Sequence, residues 1–186
     1  MSWILGYRKR IGFRKHGGDS NLQRYRQLNS NLCIPAIPEI KKALALILAT
    51  SIGPDGGINP SKDIEQSDVC INGMFLNYGC YFGTDEEKLR SVVDFIVSQQ
   101  LADGGFNCRL NRSGARHSSM HSTISVLEGI REYIAAGYAF RAEELKRIEG
   151  EAQEFLLRHR LFKSDHTGAV IHPIFLKLVY PPRWRY

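Results

Sequence analysis

Gln100-Leu101-Ala102-Asp103-Gly104-Gly105-Phe106 decides the fold, because its centre is written twice. Asp55-Gly56-Gly57 precedes Asp103-Gly104-Gly105 by 48 residues. Each Asp-Gly-Gly follows a helix-periodic apolar segment and precedes a second one. Ile40, Leu44, Ile47 and Leu48 recur at helical spacing before the first turn, as do Leu89, Val92, Val93, Ile96 and Val97 before the second. Pro54 and the glycines end the first helix, since proline lacks the amide donor and glycine accepts positive φ. A repeat of two helices and a glycine turn predicts stacked helical hairpins.

Working outward, helices are predicted over about 38–50, 68–82, 84–100, 118–136 and 142–158. Ile71, Met74, Phe75 and Tyr78 are expected on one face of the second helix, where Gly73 and Gly79 lower propensity but permit close contact. Thr84-Asp85-Glu86-Glu87 reads as a capping box, Thr84 accepting from the third helical N–H while Glu87 reaches back. The fourth helix carries Ile124, Val126, Leu127 and Ile130, and the fifth Leu145, Ile148, Ala152, Phe155 and Leu156. No strand-alternating run competes, so the expectation is an all-α fold. Three stretches are distinguished: a basic N-terminal arm (1–35), the hairpins (36–160) and an irregular C-terminal segment (161–186).

Forty-three per cent apolar residues in 186 suffice for a core in one domain. No apolar run is long enough to span a membrane. The early Arg8-Lys9-Arg10 interrupts any secretory signal, which makes the cytoplasm the expected location. Residues 1–30 carry seven Lys/Arg against Asp19 alone, which accounts for the whole net charge of +6. Without interleaved aromatics or a nucleic-acid motif, such an arm points to a solvated terminus rather than a specific nucleic-acid site. Cys33, Cys70, Cys80 and Cys108 form no CxxC pair, so neither a disulfide framework nor a zinc ribbon is expected.

Gln100-x-x-Asp103-Gly104-Gly105-Phe106 resembles the QxxDGG[FW] turn of the terpenoid cyclase and protein prenyltransferase superfamily. Asp68-Val69-Cys70 resembles the Asp-x-Cys of the prenyltransferase zinc site. His121-Ser122-Thr123 through Leu127-Glu128-Gly129 resembles its later His-[ST] helix. The similarity covers roughly residues 36–160. It implies an α/α toroid, in which outer and inner helices alternate around an apolar cavity. Two full hairpins and part of a third imply an incomplete (α/α)6 barrel, a partial copy. At the positions six and three before the zinc Asp, basic in that family, stand Lys62 and Glu65, and Ile71 replaces the aromatic after the metal Cys.

What the resemblance implies about chemistry is specific. Parallel inner helices would bring Asp68, Cys70 and His121 to one rim as zinc ligands, an N, O and S set with a position left open. Zinc would activate a thiol for attack on an allylic isoprenoid carbon. Lys62, Arg109, Arg112 and Arg116 are the candidate cations for a diphosphate, and His117 is a candidate general base. The ordinary alternatives are an N-cap role for Asp68, a buried thiol for Cys70, and capping or carbonyl bonding for the two histidines. Asp55 and Asp103 are expected to fix their turns rather than take part in chemistry. The function expected is a prenyltransferase-like or squalene-cyclase-like domain acting on isoprenoids or isoprenoid diphosphates. The alternative is an inactive helical-hairpin module that self-associates through open apolar faces.

Overall fold

The computed structural model describes residues 38–61, 65–108 and 110–177, without the side chains of residues 111 and 112. The basic arm, Lys62 and Arg109 lie outside these residues, as does the side chain of Arg112. The described chain is mostly helical. Its elements are α1 (Pro38–Thr50), α2 (Val69–Tyr81), α3 (Glu86–Ser98), a single turn α4 (Leu110–Ser113), α5 (Met120–Ala136) and α6 (Ala142–Arg158). A 3-10 turn follows at Pro173–Leu176. Among the described residues the extended pairings are two isolated bridges, Ile52 with Ile58 and Lys163 with Val170, so the all-α expectation holds there.

The two Asp-Gly-Gly turns are built alike. In the first, Asp55 Oδ1 accepts from Gly57 N (3.1 Å) and from Ser67 Oγ (2.7 Å), and Oδ2 accepts from Ser67 N (2.7 Å). In the second, Asp103 Oδ1 accepts from Gly105 N (3.5 Å) and Ser118 Oγ (2.5 Å), and Oδ2 from Ser118 N (2.8 Å). Each carboxylate thus ties its turn to the serine just ahead of the next helix, the structural role expected for both aspartates. Positive φ at Gly56 (81°) and Gly104 (94°) explains the first glycine of each pair. The second is needed for space, since a Cβ on Gly57 or Gly105 would lie 2.7 Å from Ser67 Cβ or Ser118 Cβ.

The equivalence continues into the helices. Asn72 Oδ1 accepts from Ile58 N (2.6 Å) and Thr123 Oγ1 from Phe106 N (3.0 Å), so the residue after each glycine pair is held by the next helix. Ser67 matches Ser118 and Asn72 matches Thr123, a register of 51 residues. α2 and α5 lie side by side in the same direction, with Gly73 against Ser125 and Val126, and Asn77 Nδ2 donating to Glu128 O (2.9 Å) further along. α3 packs on α2, and α6 on α5.

One apolar core joins α1, α2, α3, α5 and α6, with Leu76, Leu89, Ile96, Phe106, Ile130, Tyr133, Leu145 and Ile148 fully buried. The stripe expected on α2 is only partly the buried one. Phe75 is buried, but Ile71, Met74 and Tyr78 are half-buried, whereas Asn72, Gly73, Leu76, Asn77 and Cys80 are inside. A helix enclosed by several neighbours has no single apolar face for periodicity to report. The capping box is also corrected. Asp85 is the N-cap of α3 and makes no side-chain cap bond. Glu87 pairs with Arg90, while Glu86 accepts from Tyr133 Oη, Ala139 N and Phe140 N and fastens the start of α3 to the α5–α6 loop.

Candidate functional site at the starts of α2 and α5

Val69-Cys70 and Met120-His121 open α2 and α5, and the register of 51 makes Cys70 and His121 equivalent, each the second residue of its helix. Ser119 caps α5, accepting from Ser122 N at 3.1 Å. Asp68 is the N-cap residue of α2 by backbone position, with extended φ and ψ of −85° and 121°, but makes no side-chain cap bond to it. The His121 ring stacks on Phe175 with centroids 5.3 Å apart, which sets the C-terminal 3-10 turn against the start of α5. Desolvation pushes the His121 pKa below its ordinary value, which favours the neutral imidazole, the form that can ligate a metal.

Cys70 differs most from expectation. It is paired in a disulfide with Cys108, 38 residues on, across a Cα–Cα distance of 6.1 Å that lies within the usual range for such bonds. Cys108 Sγ accepts from Cys70 N (3.3 Å) and from Ser122 Oγ (3.2 Å), and Ser122 Oγ accepts from Cys108 N (3.1 Å). Cys108 therefore bridges the starts of the two parallel helices. No spacing rule points to it, because the pair is made by the turn at Phe106 swinging the loop back over α2. Ser67, Ser118 and Ser122 also escape sequence reasoning. For the first two, the position shared by both repeats is an available signal.

Of the remaining expected residues, Lys62, Arg109 and the Arg112 side chain lie outside the described residues. His117 and Arg116 are exposed, and the His117 carbonyl accepts from Asn107 Nδ2 at 2.7 Å. Among the described residues no group of three or more His, Cys, Asp or Glu side chains stands ready to hold a metal. The donor types of Asp68, Cys70 and His121 suit zinc, but with Cys70 bonded to Cys108 its sulfur is not on offer. A surface groove of about 560 Å³ lies elsewhere, between the second glycine turn and α6. Its lining includes Asp103, Glu151, Glu154 and Arg158 and none of the candidate site residues.

No described helix is long and apolar enough to cross a membrane. Comparison with known proteins finds no matching family model, no matching curated protein and no matching solved structure.

Proposed function

We propose that this chain is a prenyltransferase-like or squalene-cyclase-like domain of the α/α toroid type, acting on an isoprenoid or its diphosphate. The observation that supports it is the doubled hairpin. Two glycine turns with the same carboxylate bonding lead into two parallel, adjacent helices that open on Cys70 and His121. Side-by-side parallel helices with antiparallel helices packed on them are the repeating unit such a ring requires. In this proposal Asp68, Cys70 and His121 hold zinc once Cys70 is reduced, and the ion supplies activation of a thiol nucleophile. Arg116, with Lys62, Arg109 and Arg112, attracts the diphosphate, and His117 is the general base.

The test has two readouts on reduced protein: metal content after gel filtration, and turnover of isoprenoid diphosphates of several chain lengths. Near-stoichiometric zinc that is lost in Cys70→Ala, together with turnover, is the expected result. Neither metal nor turnover would leave the second reading, a helical-hairpin module without activity. What favours that reading is the exposure of Ile124, Leu161, Ile174 and Leu176, apolar side chains of the kind a partner would cover. Self-association on size exclusion is its signature.

A further inference from the structure

We propose that Cys70 and Cys108 form a reversible dithiol–disulfide site that exchanges with small-molecule disulfides, and that its closure withdraws Cys70 from metal ligation. The redox site stands on its own geometry; only the clause on metal rests on the zinc reading above.

Three observations carry it. First, both cysteines are half-buried, so a small thiol can reach the bond, whereas Cys80 is buried and its thiol pKa is pushed far up by desolvation. Secondly, each side of the bond is anchored without it. The start of α2 is held by Ser67 to Asp55 and by Asn72 to Ile58. The Cys108 loop is held by Cys108 N to Ser122 Oγ, and by Ser119 N to Phe106 O at 2.8 Å. Opening the bond therefore leaves both sulfurs close together, ready to close again. Thirdly, the amide of Cys70 and the hydroxyl of Ser122 donate to Cys108 Sγ. Those donors orient that sulfur.

The chemistry balances with an external disulfide such as oxidised glutathione. One cysteine sulfur, its proton lost to solvent, attacks the external disulfide and expels one thiolate, which takes up a proton. The second cysteine sulfur then attacks the mixed disulfide, loses its proton, and expels the other. Two protein thiols become one disulfide, and one glutathione disulfide becomes two glutathione thiols. Excess reduced glutathione runs the same steps backwards.

The 186-residue chain is equilibrated over a series of reduced-to-oxidised glutathione ratios, quenched by alkylation and mapped by peptide mass spectrometry. Bound zinc is measured in parallel after gel filtration. The expected result is a Cys70–Cys108 cross-linked peptide that appears and disappears reversibly with the ratio, while Cys80 stays a free thiol. Zinc binding to the oxidised protein should be at least tenfold weaker than to the reduced protein. In Cys108→Ser, with Cys108→Ala as a second variant, Cys70 forms no internal bond and zinc binding loses this redox dependence. Free alkylatable Cys70 and Cys108 at every ratio would overturn the proposal, as would a cross-link that excess reduced thiol never opens. If the cross-link cycles but neither state binds zinc, the zinc reading fails and the redox site is supported.

Discussion

Replacing Gly73 with alanine tests the parallel α2–α5 contact on which the site is built. A Cβ there would lie 2.6 Å from Ser125 O and 2.7 Å from Val126 Cα, where ordinary contact begins at 3.4 Å. The obstacles are backbone atoms, so the helices must separate by up to about 0.8 Å, the shortfall between those two distances. Overpacking of this kind costs about 1–3 kcal/mol, and a rigid backbone neighbour places it near the top of that range. Alanine recovers about 1 kcal/mol of helix propensity over glycine. The net expectation is a loss of about 2 kcal/mol. Gly150 is the control, exposed on α6 with no atom within 4 Å of the point a Cβ would occupy. Gly150→Ala should gain up to about 1 kcal/mol. The propensity term is common to both variants, so their difference isolates the steric term at about 3 kcal/mol. With a urea m-value of about 2 kcal/mol/M, the midpoints should lie about 1.5 M apart at unchanged m. Equal midpoints, or Gly73→Ala at or above wild type, would refute the close parallel contact. Gly129→Ala strikes the same interface, with its Cβ 2.5 Å from Gly73 O, and should combine with Gly73→Ala sub-additively.

The other predictions concern the anchors around this contact. Asp103→Ala removes the acceptor of Ser118 N and Ser118 Oγ and should cost about 2–4 kcal/mol in urea unfolding, with Asp55→Ala costing a similar amount. Both variants at wild-type stability would show the carboxylates do not fix the turns. The Glu86 carboxyl is held below its ordinary pKa, chiefly by the Phe140 N–H, with Tyr133 and Ala139 adding to it. A depressed folded pKa contributes stability that is present above the unfolded value of about 4.3 and is lost as pH falls through the folded one. The stability gap between wild type and Glu86→Gln should therefore be open at pH 6 and close steadily below about pH 4. A gap independent of pH would contradict this. Finally, Cys80 should resist iodoacetamide in native protein and react fully in urea, since burial disfavours its thiolate; rapid native labelling would place it elsewhere.

Much of the helical framework can be read from residues alone. Pro38–Thr50 and Ala142–Arg158 lie where spacing predicts them, and α5 starts and ends within two residues of expectation. α6 keeps one wet face, so its apolar stripe is legible. α2 is legible as a helix but not in its buried face, because it is enclosed on several sides and packs through Gly73 rather than through large apolar residues. Thr84 and Glu87 have the capping-box spelling, yet the loop beyond α5 claims the neighbouring Glu86 instead, a long-range competitor that local sequence cannot report.

By itself, the sequence determined the repeat. Two Asp-Gly-Gly turns between periodic apolar segments set hairpin length, and the short range of those signals is why they survive reading in one dimension. Tertiary structure alone decided the partners. Cys70 meets Cys108, and the register of 51 aligns Cys70 with His121. These contacts depend on how two helices lie against each other, and that is fixed by a glycine seam and two carboxylate–serine anchors acting over many residues of intervening chain.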